Sequence, residues 1–234
     1  MTAVPIGIHL GWIGLGTGAV ALLVLGLRTT RHPWHHLLAF LVPAFTTLSY
    51  VAMAFGQGTT TLSTGRVFYW ARWADAVVGA TLLLLNTALI ALPRSTSRRN
   101  ALFTGIAAAN GITMLCGLFA GGSTDPAARW TWYLIGVGAY AAVLWMLFVR
   151  VPAQARQQGT PARRRRMYRR LIAVLIGVAV LYPIWWLFTP VGIGWVGAPT
   201  ALLVFAFLDL LSKAGYGLLL VTQVRKLPES TRGW

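Results

Sequence analysis

Residues 198–222 read APTALLVFAFLDLLSKAGYGLLLVT, an apolar run with one acid, Asp209, and one base, Lys213. A helix that crosses a bilayer needs roughly 20 predominantly apolar residues, and this stretch supplies them. Six further runs do the same, near 5–27, 34–57, 67–92, 100–121, 129–150 and 170–190. The connections are short apart from a basic stretch around 151–169. Composition agrees: of 234 residues 57% are hydrophobic and 10% are charged, where a soluble domain carries about 25%. The expected fold is an all-α membrane protein, a seven-transmembrane helix bundle forming one domain over 1–234. The first run lies close to the start with no basic segment before it, so it is not expected to be a cleaved signal peptide.

Lys and Arg number 20 against four Asp and Glu, a net charge of +16. That balance often accompanies nucleic-acid binding. Here the bases stand in short blocks between apolar runs, which excludes nucleic acid as a partner and points to the lipid bilayer. Sixteen bases fall in loops 1, 3 and 5 and in the tail, among them Arg28, Arg94, Arg163, Arg164, Arg165, Arg166, Lys226 and Arg232. The other loops hold Arg66 and Arg129. By the positive-inside rule the N-terminus is outside and the C-terminus cytoplasmic. The block 163–166 reads as a topology signal in contact with anionic lipid, or as a docking surface for a cytoplasmic partner. The single cysteine, Cys116, rules out a disulfide framework and a cysteine metal site.

Two bases, Arg72 and Lys213, and two acids, Asp75 and Asp209, remain, all inside spans 3 and 7. A charge at the bilayer centre costs at least about 2.5–3.5 kcal/mol and usually faces the bundle interior as a functional group. Arg72 and Asp75 are spaced i,i+3, and Asp209 and Lys213 i,i+4, so each pair shares a helix face. At about 1.5 Å per residue both acids lie roughly 13–17 Å in from the outer ends. Such a cluster is either an ion-pair clamp between two helices or a functional site, and buried ion pairs are weak devices for stability. A buried lysine also forms Schiff bases with carbonyl compounds, which in low dielectric need a counterion.

The segment Tyr69-Trp70-Ala71-Arg72-Trp73-Ala74-Asp75 with Leu82-Leu83-Leu84-Leu85-Asn86 resembles the third helix of the microbial (type I) rhodopsins, the bacteriorhodopsin and sensory rhodopsin group. Leu181-Tyr182-Pro183-Ile184-Trp185-Trp186 resembles the sixth helix, and Leu208-Asp209-Leu210-Leu211-Ser212-Lys213-Ala214-Gly215-Tyr216-Gly217 the seventh. The resemblance implies retinal bound as a Schiff base at Lys213, with Asp75 as counterion and proton acceptor and Asp209 as second counterion. Arg72 would link the cluster to the outer half-channel. Tyr50 and Tyr182 stand where family members bond the second aspartate, and Trp186, Trp132, Tyr133, Leu83 and Gly117 match pocket-lining positions. Multi-pass insertion in the plasma membrane, homo-oligomers (trimers or pentamers) and the absence of enzymatic activity are implied as well.

The departures bear on mechanism. Asn86 occupies the place where efficient outward proton pumps carry a carboxylic donor, so proton return should be slow and drawn from bulk water. Asn110 replaces another acid, Val191 and Ala201 replace the outer glutamates, and Gly79 replaces the threonine that bonds the acceptor. Ala76 and Ala179 stand where two tryptophans usually sandwich the polyene, and such truncations cost about 3–5 kcal/mol each in a packed core. Tyr140, at a usual methionine position, fills part of the space, leaving a loosened chromophore or locally repacked helices. Two functions follow: a slow light-driven outward proton pump, or a photosensory rhodopsin signalling to a transducer protein. Ser212, which can bond Tyr182, favours the sensor, while Phe207 at a position where transducer-coupled members carry tyrosine speaks against it.

The remaining candidates read blandly. His9, His35 and His36 are expected at the membrane interface rather than as ligands, with no metal site. Cys116 is a packing residue, and Pro43 and Pro183 mark kinks.

Overall fold

The computed structural model describes residues 5–29 and 31–228; Glu229 and Arg232 of the tail lie outside them. Among the described residues seven helices are long and apolar enough to cross a membrane: α1 Ile6–Leu27, α2 Pro33–Ala54, α3 Ala71–Ala91, α4 Ser97–Gly122, α5 Pro126–Gln157, α6 Ala162–Phe188 and α7 Ala198–Val224. Large apolar side chains such as Leu48, Val20 and Leu134 point outward from the bundle, as a lipid-facing surface requires.

Two boundaries depart from the sequence reading. Span 3 was expected from 67, but α3 begins at Ala71, because Val67–Phe68 pair with Thr60–Thr61 in an antiparallel hairpin. The hairpin turns at Gly65, whose φ of +78° suits a residue without Cβ. Arg66 then ties the hairpin to α4, donating from Nη2 to the Gly121 and Ser123 carbonyls, both at 3.0 Å. Burial and the neighbouring Arg129 push the Arg66 guanidinium below its usual pKa.

The second departure is larger. The basic stretch 151–169 is not a loop: α5 runs on to Gln157 and α6 starts at Ala162, so Arg163–Arg166 form its first turns. Arginine is a good helix former, and these turns extend beyond the apolar span. What lets α5 continue through Pro152 is a π-helical stretch at Met146–Arg150. There the Val151 N–H reaches back five residues to the Met146 carbonyl. In that register the Leu147 carbonyl would need the N–H of residue 152, which proline lacks. The Tyr168 hydroxyl of α6 supplies the missing donor at 2.6 Å.

Helix ends are capped where the sequence has the means. Thr96 accepts from the Arg99 N–H at the start of α4, and Asp125 from the Ala128 N–H at the start of α5. On the arginine-rich face Arg163 and Arg225 donate to the Lys226 and Leu25 carbonyls at 2.7 and 2.6 Å. In the hairpin half, glycines of α1 permit close approach. A Cβ at Gly7 would meet the α7 backbone at Leu203, and one at Gly11 would overlap the Tyr50 ring.

The apolar core has two parts. A large cluster around Leu83, Leu92, Leu147, Tyr168 and Leu220 fills the arginine-rich half, and a smaller one around Leu15, Tyr50 and Ala206 the hairpin half. The intramembrane charges lie close to where the two meet. Tyr168→Phe would leave the Leu147 carbonyl without a donor in a dry environment. An orphaned buried acceptor costs about 1–3 kcal/mol, so thermal unfolding in detergent should show a clearly lowered midpoint.

Candidate functional site

Helices α3 and α7 bring the four intramembrane charges together. Lys213 Nζ lies 2.5 Å from Asp75 Oδ2 and 3.2 Å from Asp209 Oδ1. Arg72 Nη2 reaches Asp209 Oδ2 at 3.5 Å, and its guanidinium lies 3.9 Å from the centroid of the Phe205 ring. The cluster holds two positive and two negative groups, so its formal charge cancels. The lysine and both carboxylates are buried. Around Lys213 the α7 backbone is π-helical, from Leu210 to Gly215, with the Tyr216 N–H bonded to the Leu211 carbonyl. Single π-turns of this kind concentrate at functional sites; the sequence gives no periodic signal for one.

The two carboxylates are held unequally. Asp209 accepts from Tyr50 Oη at 2.7 Å, from Tyr182 Oη at 2.8 Å and from Arg72. Tyr182 Oη also lies 2.9 Å from Ser212 Oγ. Asp75 has one hydroxyl partner, Thr46, donating to Oδ1 at 2.9 Å. Thr46 was missed in the sequence, where only the loss of threonine at Gly79 was noted. A Cβ at Gly79 would stand 3.2 Å from Asp75 Oδ1 and 3.9 Å from Thr46 Oγ1, so the hydroxyl now arrives from α2. Thr46 and Tyr50 are spaced i,i+4 and share one face of α2, but that spacing does not say which neighbour the face meets.

A cavity of about 540 Å³ opens from Lys213, Ser212 and Asp209 into the bundle, with a mainly apolar lining. Leu83, Gly117, Tyr140, Tyr182, Tyr133 and Trp186 line it, as do Ala76 and Ala179. Trp186 stacks on Tyr133 with ring centroids 4.7 Å apart and 15° between planes. Trp132 is not on the lining; its ring packs 4.9 Å from Phe119, because i,i+1 neighbours on α5 face different ways. Trp73, not singled out before, covers Gly117, where any Cβ would overlap the indole. The Tyr140 hydroxyl is buried without a partner.

This space suits a long apolar ligand with one reactive end. Its volume falls within the about 300–1,000 Å³ of small-molecule sites, its walls are aliphatic and aromatic, and its charged end presents a primary amine. The residues present therefore fit retinal held at the lysine.

The pattern of bacteriorhodopsin-like proteins matches residues 5–227. The chain belongs to the bacteriorhodopsin-like family. Thermophilic rhodopsin from Rubrobacter xylanophilus superposes with a TM-score of 0.87 at 30% identity, covering 94% of this chain and 95% of that one. Archaerhodopsin-2 of Halobacterium sp. strain aus-2 is 30% identical over 90% of this chain and 83% of its own length. Opsin-1 of Neurospora crassa is 30% identical over 92% and 74%. Members of this bacteriorhodopsin-like family are photoactive membrane transporters or sensors rather than enzymes, and they bind retinal through a lysine Schiff base. The chain is thus a multi-pass membrane protein, for which the plasma membrane is the usual site.

Other expected positions fall away from the charges. Asn86 is fully buried on α3 among residues of the arginine-rich half and bonds His35, not the cluster. His35 and His36 are buried within the bundle in the first turn of α2; His9 is exposed and accepts from Trp12. Asn110 lines the cavity and donates to Thr81 Oγ1 at 2.9 Å. The Val191 and Ala201 carbonyls accept from Arg129 and Trp185. Removing the Thr46 hydroxyl tests the unequal support of the carboxylates. A hydrogen bond to a charged group contributes about 1.5–3 kcal/mol, so Thr46→Val should lower the thermal midpoint, while Thr46→Ser should stay near the parent.

Proposed function

We propose that the chain is a light-driven outward proton pump in which Lys213 carries retinal and Asp75 accepts the proton from its Nζ. The observation that carries the reading is the 2.5 Å contact between Lys213 Nζ and Asp75 Oδ2. When bound, retinal supplies light absorption and the change of shape that upsets this contact. The protein's own groups account for the rest. Asp209 already receives two phenols and a guanidinium besides the lysine, so its oxygens are committed to donors that favour the ionised form. Asp75 receives only Thr46 and Lys213, which leaves it as the carboxylate with room for a proton.

Arg72 lies on the hairpin side of the cluster, and the positive-inside rule makes that side the outer one. A proton received by Asp75 draws Arg72 further onto Asp209 and leaves the outer half of the bundle as the way out. Among the described residues the one other carboxylate is Asp125, which caps α5, so release is not assigned to a dedicated acid. The return of a proton to Lys213 crosses the packed arginine-rich half, where Asn86 is an amide, and a slow cycle follows.

A specific contact favours a second reading. The Tyr182–Ser212 hydroxyl pair matches the arrangement expected of a photosensor that acts on a transducer protein. Cells expressing the chain with retinal separate the two. Light should acidify the medium, a protonophore should abolish the signal, and Asp75→Asn should remove it while a visible band remains. A band without any pH change would leave the sensor.

A further inference from the structure

The arginine-rich half holds a polar pair that the cluster does not use. His35, in the first turn of α2, and Asn86 of α3 are both buried. Asn86 Nδ2 donates to the His35 backbone carbonyl at 3.1 Å, which turns Oδ1 toward the imidazole, where it lies 2.5 Å from Nδ1. An amide oxygen can only accept, so Nδ1 must carry the hydrogen. The tautomer is thereby fixed, and Nε2 is left as the basic nitrogen.

We propose that His35 is the proton-relay residue for the return of a proton to Lys213, with Asn86 acting through it as a positioning residue. This rests on the pump reading of the previous section and assigns a group to the step for which Asn86 itself has no proton to give. Neutral His35 takes one proton at Nε2 from the arginine-rich face and becomes doubly protonated while Nδ1–H stays on Asn86. It then gives up the Nε2 proton toward Lys213 Nζ after that atom has lost its own to Asp75, and returns to the starting tautomer.

The surroundings supply an entry route. His32, half-buried at the start of α2, stands edge-on to His35 with ring centroids 6.2 Å apart, and its Nε2 lies 3.4 Å from the Leu227 carbonyl. The charged and titratable groups that bear on His35 are His32, just before α2, His36 from its own helix and Arg164 from α6, while Arg225 from the end of α7 acts on His36. On this half α1 and α3 carry no titratable side chain, so no carboxylate from them competes for the proton. Beside Asn86 on α3, Thr87 pairs with Tyr216 of α7, hydroxyl to hydroxyl at 2.7 Å. Asn86 lies eleven residues from Asp75, about 16 Å along α3, so the proton moves only when this packing opens to water.

Two measurements test the assignment. In the dark, ¹⁵N-histidine solid-state NMR of the retinal-loaded protein should show a buried imidazole protonated at Nδ1. That signal should vanish in His35→Gln and lose its fixed tautomer in Asn86→Leu. After a flash, proton return to Lys213, read as recovery of the visible band, should slow by about tenfold or more in His35→Gln, given the usual worth of a placed acid. Azide should restore the rate, and His36→Gln should stay within about twofold. An imidazole at 35 protonated at Nε2, or recovery in His35→Gln within about twofold of the parent, overturns the proposal. If recovery depends on His35 but cells show no acidification, the relay stands and the pump reading falls.

Discussion

One ammonium group between two carboxylates organises this molecule. An isolated charge in the middle of a bundle is costly, and Lys213 is tolerated because Asp75 and Asp209 lie within 3.2 Å of its nitrogen. Adding a second carboxylate creates the opposite problem, which Arg72 resolves by completing a neutral set. The remaining carboxylate lone pairs draw in donors from other helices: Tyr50 and Thr46 from α2 and Tyr182 from α6. The charges therefore fix the mutual rotation of four helices, and the apolar clusters on either side pack around that result.

Irregular backbone occurs where α5 and α7 turn π-helical. The π-helical stretch of α7 runs through Lys213 itself. The other, in α5, makes room for Pro152 and leaves a carbonyl that only a side chain from α6 can satisfy. In a bilayer an unsatisfied carbonyl has no water to turn to. In α5 the departure is completed by a named partner, Tyr168.

Much of this was legible in the chain. Seven apolar runs and four charges confined to two of them give the bundle and the site, because spacing within a helix is readable from period alone. Contacts that depend on how one helix is rotated against another were not readable. Thr46 reaching Asp75, Trp73 covering Gly117 and His35 meeting Asn86 all cross between helices with no fixed sequence spacing. The hairpin at 60–68 was hidden by its two-residue strands, and the extension of α6 was hidden because four arginines read as a loop when only the bilayer-spanning part was sought. Trp132 and Tyr133 show the limit of reading a pocket position by position, since one turns onto α4 and the other into the cavity.

The central claim is that Lys213 is the amine that holds the ligand of the cavity. Retinal added to the purified chain, fixed by borohydride reduction and located by peptide mass spectrometry, addresses it most directly. The account predicts one equivalent on the peptide containing Lys213, adding the mass of retinal less one oxygen, and none in Lys213→Ala. Equal labelling of the Lys213→Ala protein, or attachment at Lys226, would contradict it.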